Sequence, residues 1–147
     1  MERLEADVVT LELVALATMT ATFSETFVLE NTPAGGRYIF EVGAVTIEGA
    51  RLRASLKGRA AADWLVVGPD GTGTLDVRAL LETHDGALVY VQYPGRVGLA
   101  AGAGAPVYAT PRFETGDVRY RWLNKIQAVG KGDFDGTTLT YELFELK

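Results

Sequence analysis

The sequence predicts an all-β protein, built as a single antiparallel barrel of about eight to ten strands with little helix. Two observations support this fold class. Turn signals recur along the whole chain, and most segments between them alternate apolar with polar residues. The chain has 147 residues, a length that suits one domain spanning residues 1–147.

Glycine and proline divide the chain into short segments. The 17 glycines and 5 prolines are spread along the sequence instead of being clustered. Asp-Gly pairs are the strongest short hairpin signal, because both turn residues must accept a positive φ. Three such pairs begin at Asp70, Asp85 and Asp135. Further turns are predicted at residues 31–36, 93–95 and 115–117.

Residues 118–129 show the clearest alternation of the predicted strands. Tyr120, Trp122 and Asn124 fall on one face, basic side chains occupy most of the other, and Leu123 is the exception. This pattern is typical of a half-buried antiparallel strand. Further strands are predicted at residues 37–48, 52–56, 64–67, 75–82 and 141–146. Residues 75–82 contain good helix formers, but eight residues between tight turns is a strand length.

Two segments, residues 8–17 and 87–93, are apolar on both faces. An antiparallel strand with two apolar faces must be covered on both sides, and the sequence offers little helix to do this. A second subunit would supply the cover. We therefore expect a homo-oligomer, most simply a homodimer.

Composition excludes several classes of function. The chain has no Cys and one His, His84, so it lacks zinc sites that use sulfur and any two-histidine metal cluster within one chain. The net charge of −5 provides no basic field for nucleic acid or an anionic membrane. The acidic start and the lack of a long apolar run predict a cytoplasmic protein. We expect no metal and no cofactor, and we interpret His84 as an exposed turn residue.

The low-complexity stretch at residues 98–106 is rich in alanine and glycine. It lacks the third glycine of a dinucleotide fingerprint and the lysine of a phosphate-binding loop. Its simplest interpretation is a surface loop; the alternative is a lid over a pocket.

The candidate catalytic residues are Asp76, Arg78 and Glu114. Asp76 and Arg78 are two residues apart, so their side chains share one face of a strand and can pair. Burial raises the pKa of a carboxyl group and a nearby arginine lowers it, and both effects can tune a base. The alternative is a weak surface pair that points to water. In the first case Tyr120, Trp122 and Asn124 form the pocket wall.

Two ordered blocks resemble the family of small proteins known as domain of unknown function 3237. The first block is Asp63-Trp64, Asp70-Gly71, Leu75-Asp76-Val77-Arg78, Thr83-His84-Asp85-Gly86-Ala87 and Tyr90. The second is Pro111-Arg112-Phe113-Glu114-Thr115-Gly116, followed by Tyr120-Arg121-Trp122-Leu123-Asn124. With Glu48-Gly49-Ala50-Arg51-Leu52, the match covers about residues 36–130. The resemblance implies a compact antiparallel barrel, comparable in fold with allene oxide cyclase-type barrels. It also favours a lumen role for the candidate residues, with Tyr90 as a further substrate contact.

Three functions remain open at this point. The first is a cofactor-independent lyase, isomerase or cyclase that acts on a lipophilic small molecule in the barrel lumen. Glu114 would then be the base, and Arg78 would orient a ligand oxygen. The second is a carrier barrel with the same pocket and no chemistry. The third is an oligomeric structural barrel whose lumen is filled by side chains.

Overall fold

The computed structural model describes residues 9–102 and 104–147, and this part of the chain folds into nine antiparallel strands. The strands are β1 (Leu13–Thr32), β2 (Gly35–Glu48), β3 (Arg53–Val67), β4 (Thr72–Thr83), β5 (Leu88–Gly98), β6 (Val107–Ala109), β7 (Arg112–Glu114), β8 (Ala128–Phe134) and β9 (Thr138–Leu146). Two short 3₁₀ helices, Leu99–Ala101 and Val118–Lys125, complete the described structure. The predicted all-β class is confirmed.

Eight strands close into a barrel. They follow the order β4-β3-β2-β1-β9-β8-β6-β5, and β5 pairs back with β4 from Thr72 opposite Gly98 to Glu82 opposite Leu88. Strand β7 is an addition, which pairs with β5 over only three residues. Most neighbours in the sheet are also neighbours in sequence, because tight turns join them.

The Asp-Gly pairs mark turns between β3 and β4, β4 and β5, and β8 and β9, as predicted. The predicted turn at residues 93–95 is wrong, since Pro94 and Gly95 lie inside β5. Here β5 changes partner, from β7 at residues 90–92 to β6 at residues 95–97. The carbonyl of Pro94 still accepts a hydrogen bond from the Thr110 N–H, at 3.3 Å. Proline and glycine therefore mark a change of strand partner.

Strand β3 joins two segments that were predicted to be separate strands, residues 52–56 and 64–67. Its pairing with β4 breaks between Leu56 and Ala61, where Gly58 adopts a φ of 61°. This local irregularity lets one long strand bend around the barrel. It also explains why the period-two pattern is interrupted between the two segments.

Strand β1 extends beyond the barrel wall. Its pairing with β9 ends at Thr22, whereas its pairing with β2 continues to Thr32. Residues 24–31 are consequently exposed, including the apolar Phe27, Val28 and Leu29.

The predicted strand at residues 118–129 is wrong, because residues 118–125 form a 3₁₀ helix and only residues 128–129 belong to a strand, β8. The Asp117 carboxylate caps this helix by accepting the Arg119 N–H. Its buried residues are Tyr120 and Leu123, which are three apart and so lie on one side of a helix with three residues per turn. Leu123, the exception to the alternation, is the residue that fits the helix.

This helix, which we call the closing helix, lies at one end of the barrel. Leu123 is fully buried in the core, and Tyr120 donates a hydrogen bond to the Asp85 carboxylate in the β4–β5 turn, at 2.8 Å. Several of the largest fully buried side chains belong to this closed end: Ile47, Leu52, Leu81, Val89, Leu123 and Leu143. Because this end is filled by side chains, a cavity for a ligand is expected at the opposite end of the barrel.

The two segments that were predicted to be apolar on both faces do expose apolar side chains outside. Val9, Leu11 and Leu13 are 82 %, 72 % and 61 % exposed, and Leu88 on β5 is 48 % exposed. Val8 lies outside the described residues. Within the described chain, no helix has the length and apolar character needed to cross a membrane.

Candidate functional site

Strand register places the carboxyl group of Asp63 on the inner wall of the barrel. Asp63 on β3 pairs with Val77 on β4, and Val77 pairs with Tyr93 on β5. Directly paired residues project to the same face of a sheet. Asp63, Val77 and Tyr93 therefore form a row that faces the lumen.

The Asp63 carboxyl group is held by the backbone of the neighbouring strand. Its Oδ1 accepts a hydrogen bond from the Asp76 N–H at 3.1 Å. Burial raises the pKa of Asp63 to about 6; the hydrogen bond from Asp76 opposes this shift, and the Asp76 carboxylate adds to it. Near neutral pH this carboxyl group is mostly ionised but readily protonated.

Asp63 borders a narrow inner chamber of about 30 Å³, which Tyr93 and Tyr141 also line. The two tyrosine rings meet edge to face, with centroids 5.9 Å apart. Burial, with the charge of Asp63 as a further cause, raises the pKa of both phenols, so they stay neutral. The Tyr141 hydroxyl is fully buried and has no hydrogen-bond partner among the described residues. A volume of this size holds about one or two water-sized groups.

A second cavity, the mouth, opens beyond Asp63 and has a volume of about 690 Å³. Phe23, Asp63, Leu75 and Leu139 line both the mouth and the inner chamber, so the two are adjacent. Phe23 packs against Phe40 and Phe134, with ring centroids 5.4 Å and 5.9 Å away. Further apolar lining comes from Leu65, Val97, Leu99, Ala105 and Val107. This volume is in the range of small-molecule sites.

The low-complexity stretch at residues 98–106 contributes to the mouth. Its residues Leu99, Gly102, Gly104 and Ala105 line the cavity, while Ala103 lies outside the described residues. The β3–β4 turn supports this loop closely: a Cβ added to Gly71, whose φ is 82°, would come within 2.8 Å of the Ala100 side chain.

The charges around the mouth are all acidic. Asp63, Asp133 and Asp135 line it, and none of its described lining residues is Lys, Arg or His. Among the described residues, Asp63 is in no ion pair. Its carboxylate is therefore a charge without a protein counterion.

The structure corrects the predicted lumen position of Asp76 and Arg78. Both lie on the outer wall, with side chains 55 % and 61 % exposed and 3.7 Å between their charged atoms. The alternation on β4 buries Leu75, Val77 and Ala79 instead. The surface pair, the alternative considered above, matches this geometry.

Glu114 also lies outside the lumen, contrary to prediction, because β7 exposes it and buries Phe113. It borders an outer depression of about 490 Å³ together with Tyr90 and Asn124. Tyr90 donates a hydrogen bond to Gln92 at 2.9 Å. The Asn124 side chain accepts from the Thr115 N–H and donates to the Thr115 carbonyl, at 2.8 and 2.9 Å. Three of the predicted residues thus lie together, but on the outer surface.

Tyr120 and Trp122 are at the closed end and not on a pocket wall, because they belong to the closing helix. The Arg51 guanidinium lies 4.4 Å from the centre of the Trp122 ring. It also forms an ion pair with the carboxylate of the buried Glu145, at 2.8 Å. His84 is exposed in the β4–β5 turn, as expected.

Sequence reasoning missed Asp63, Tyr93 and Tyr141 as a set. The alternation of Ala61, Asp63 and Leu65 on β3 was a usable signal, since it places a carboxylate on the buried face between two apolar residues. No spacing signal joins Tyr141 to the other two, because β9 is far from β3 in sequence and does not pair with it.

Comparison with known proteins supports the fold. A β-barrel-like protein from Acinetobacter baumannii AYE is 30 % identical, with a TM-score of 0.86 and coverage of 97 % of this chain and 100 % of that one. A conserved protein of unknown function from Rhodopseudomonas palustris is 22 % identical, with a TM-score of 0.85 and coverage of 95 % and 100 %. An enzyme from Penicillium herquei is 21 % identical, with a TM-score of 0.71 and coverage of 94 % of each chain.

The search of curated proteins finds no significant match. The sequence profile described as "Protein of unknown function (DUF3237)" matches residues 11–146, nearly the whole chain. The resemblance to this family that was identified from the two sequence blocks is therefore confirmed. The chain belongs to the DUF3237 family of β-barrel proteins.

Proposed function

We propose that this protein is a cofactor-independent enzyme that transfers a proton on a lipophilic small molecule bound in the mouth, as a lyase, isomerase or cyclase. One observation carries the proposal. Asp63, with a pKa of about 6, lies where the enclosed chamber meets a wide apolar cavity. A general base works best with a pKa near the working pH.

Asp63 has the properties of an acid–base group. The hydrogen bond from the Asp76 N–H fixes its orientation, so little reorganisation is needed when a substrate binds. Above pH 6 the ionised form predominates and can accept a proton from the substrate. The same group can then return the proton to another atom, which makes isomerisation or cyclisation possible without a cofactor.

The neighbouring phenols supply the polar contact that Arg78 was expected to provide. The Tyr141 hydroxyl is neutral, buried and without a partner among the described residues, and Tyr141 lines the same chamber as Asp63. Such a group can hydrogen-bond a heteroatom of the substrate whose charge changes during the reaction. The fold-level likeness to a barrel described as an enzyme is in keeping with this proposal.

A solvent-exchange experiment tests the proposal without a known substrate. The protein is incubated in D₂O with a panel of lipophilic ketones, and deuterium uptake next to the carbonyl is followed by mass spectrometry. We expect wild type to accelerate exchange of at least one compound by about 100-fold or more over Asp63→Asn. Equal rates for the two proteins across the panel would end the proposal.

The matched control is Glu48→Gln. Glu48 is an exposed carboxylate at the end of β2 that lies away from the mouth. This variant removes one negative charge, as Asp63→Asn does, without touching the cavity. It should exchange deuterium at the wild-type rate.

A carrier for hydrophobic molecules is the second candidate, favoured by the size and apolar lining of the mouth. The two functions differ in their need for Asp63. A carrier would bind Nile red or a related neutral lipophile equally well before and after Asp63→Asn, and would catalyse no exchange.

We also propose that the protein forms a homodimer. The exposed apolar residues Val9, Leu11 and Leu13 lie close together in sequence at the start of β1 and support an interface there, while Leu88 is exposed on β5, four strands away around the barrel. Sedimentation at micromolar concentration tests the proposal, and a 15.8 kDa monomer would contradict it.

A further inference from the structure

The mouth and the inner chamber have the features of a site for a positively charged head with an apolar body. Asp63 supplies a half-buried carboxylate at their junction, and none of the described lining residues of either cavity is Lys, Arg or His. A charge in apolar surroundings is costly unless an opposite charge accompanies it. The described part of the protein does not provide that charge.

The Tyr141 hydroxyl is an independent second observation. The hydroxyl is fully buried and makes no hydrogen bond to the described residues, and Tyr141 is one of the residues that line the chamber, beside Tyr93. Buried polar atoms in folded proteins nearly always have a partner, so an unpartnered one calls for a bound group. The chamber, at about 30 Å³, accommodates a head about the size of a water molecule.

We propose that the site binds a lipophilic primary amine in its protonated form, with the ammonium head in the inner chamber and the apolar body in the mouth. This inference rests on the proposed function for the location of the site: it names a ligand that the site binds, and the exchange experiment on ketones tests the reaction separately. The ammonium group has three N–H donors. Asp63 accepts one and the Tyr141 hydroxyl oxygen accepts another, while Tyr93 borders the same chamber.

The body of the ligand is accommodated by the mouth. The cluster of Phe23, Phe40 and Phe134 forms part of the lining of the mouth, whose volume is much larger than that of the chamber. Asp133 and Asp135 at its rim add negative charge, so the entry path attracts a cation and repels a carboxylate ligand. A neutral alcohol would gain the apolar contacts and lose the ion pair.

Binding of the amine should depend on pH through Asp63. Tyr93 from β5 and Tyr141 from β9 line the chamber with Asp63 and stay neutral. The Asp76 carboxylate from β4 lies on the outer wall, from where its charge raises the pKa of Asp63. Asp133 and Asp135 lie further out at the mouth. A primary ammonium keeps its charge to a pH of about 10. Affinity should therefore rise between pH 5 and pH 7.5, as Asp63 ionises.

The test compares octylamine, octanol and octanoate by calorimetry at pH 7.5 and pH 5. We expect wild type at pH 7.5 to bind octylamine about tenfold or more tightly than octanol, with octanoate weakest. At pH 5 the preference for the amine should shrink by about tenfold, while octanol binding stays constant. This comparison uses only the wild-type protein, so it does not depend on the folding of a variant.

Two variants locate the head group, with Glu48→Gln as the control. Asp63→Asn should abolish the preference for the amine and leave octanol affinity within about twofold, which also shows that the variant is folded. Tyr141→Phe should weaken octylamine binding severalfold, and more than it weakens octanol binding. Unchanged amine affinity in either variant would overturn the proposed placement of the head.

The outcomes separate this inference from the proposed function. Octanol binding as tightly as octylamine would overturn the amine class and leave a lipophile pocket in place. Failure of all three probes to bind would overturn the amine class and the pocket together. Loss of deuterium exchange in Asp63→Asn tests the enzyme itself and does not depend on which probe binds best.

Discussion

The Asp63 carboxyl group accepts its hydrogen bond from the backbone of Asp76, whose own side chain lies on the opposite side of the barrel wall. One carboxylate is thus half-buried beside the lumen and the other is exposed to solvent. The backbone of β4 holds the inner carboxyl group in place, and the Asp76 carboxylate on the same strand contributes to its raised pKa. The site therefore depends on Asp76 although the Asp76 side chain never enters it.

Replacing Asp63 by asparagine should stabilise the protein at alkaline pH. The folded-state pKa of Asp63 is raised from 3.8 to about 6, so ionisation lowers the free energy of unfolding as pH rises from 4 to 6. This loss of stability is absent below the pKa that Asp63 has in the unfolded chain, and it is complete above the pKa that it has in the folded protein. We therefore expect the difference in the free energy of unfolding between Asp63→Asn and wild type to change by about 2 kcal/mol in favour of the variant when the pH is raised from 4.5 to 8.

Urea unfolding at the two pH values measures this gain. The introduced asparagine can still accept the Asp76 N–H through its amide oxygen, so the comparison isolates the charge. A stability difference between the two proteins that does not change with pH would contradict the pKa assigned to Asp63.

Filling the mouth should block lipophile binding and leave the fold intact. Ala105 is partly buried at the mouth, and Ala105→Trp places an indole in the cavity. Nile red affinity should fall by about tenfold or more, since the ring occupies apolar volume that the ligand needs. The control is Ala50→Trp, at an exposed position in the β2–β3 turn away from the mouth. Equal affinity in the two variants would show that lipophiles bind elsewhere.

The variants Glu114→Gln and Arg78→Lys test whether the functional site lies on the outer surface or in the mouth. Both side chains are exposed, so each change should alter stability by less than about 1 kcal/mol. Deuterium exchange and octylamine affinity should match wild type within about twofold, because neither residue borders the mouth. Loss of exchange in Glu114→Gln would instead move the chemistry to the outer depression.

Arg51→Ala should destabilise the closed end. The Arg51 guanidinium is 2.8 Å from Glu145, whose side chain is only 9 % exposed, and its removal leaves that carboxylate with Lys147 at 3.9 Å. We expect a loss of about 1–3 kcal/mol in the free energy of unfolding, since the arginine itself is half exposed. Lys57→Ala breaks the exposed pair with Glu82 and should cost less than about 1 kcal/mol. Equal losses would show that the burial of Glu145 does not matter.

The fold could be predicted because its signals are local. Turn residues such as Asp70-Gly71 and Asp135-Gly136 act within a few positions, and alternation on β4 records directly which face is buried. The closing helix was mistaken for a strand because alternation and a three-residue repeat both fit a segment of eight residues. Tyr120 and Leu123 satisfied the second pattern, and the Asp117 cap was the local signal that favoured it.

The site was harder to predict because its residues come together only when the barrel closes. Asp76 and Arg78 were chosen as candidates because they are two residues apart and can form an ion pair. The alternation on β4 that buries Leu75 and Val77 places both of them on the outer face. Asp63 belongs to the Asp63-Trp64 pair of the family-like block, but nothing in that pair marks it as a site residue, and its importance comes from Tyr141, which is 78 positions away in the sequence. Only the three-dimensional arrangement brings these two groups to one chamber.

The extension of β1 beyond β9 has a consequence for self-association. Between Thr22 and Thr32 this strand has one backbone edge without a partner among the described strands, and Phe27, Val28 and Leu29 lie along it. Such an edge invites addition of a strand from another molecule. Glu25 and Glu30 flank the apolar run, so two copies aligned antiparallel would gather four carboxylates around it. Like charges thus act as gatekeepers against fibril-like stacking, and salt, by screening them, weakens this protection.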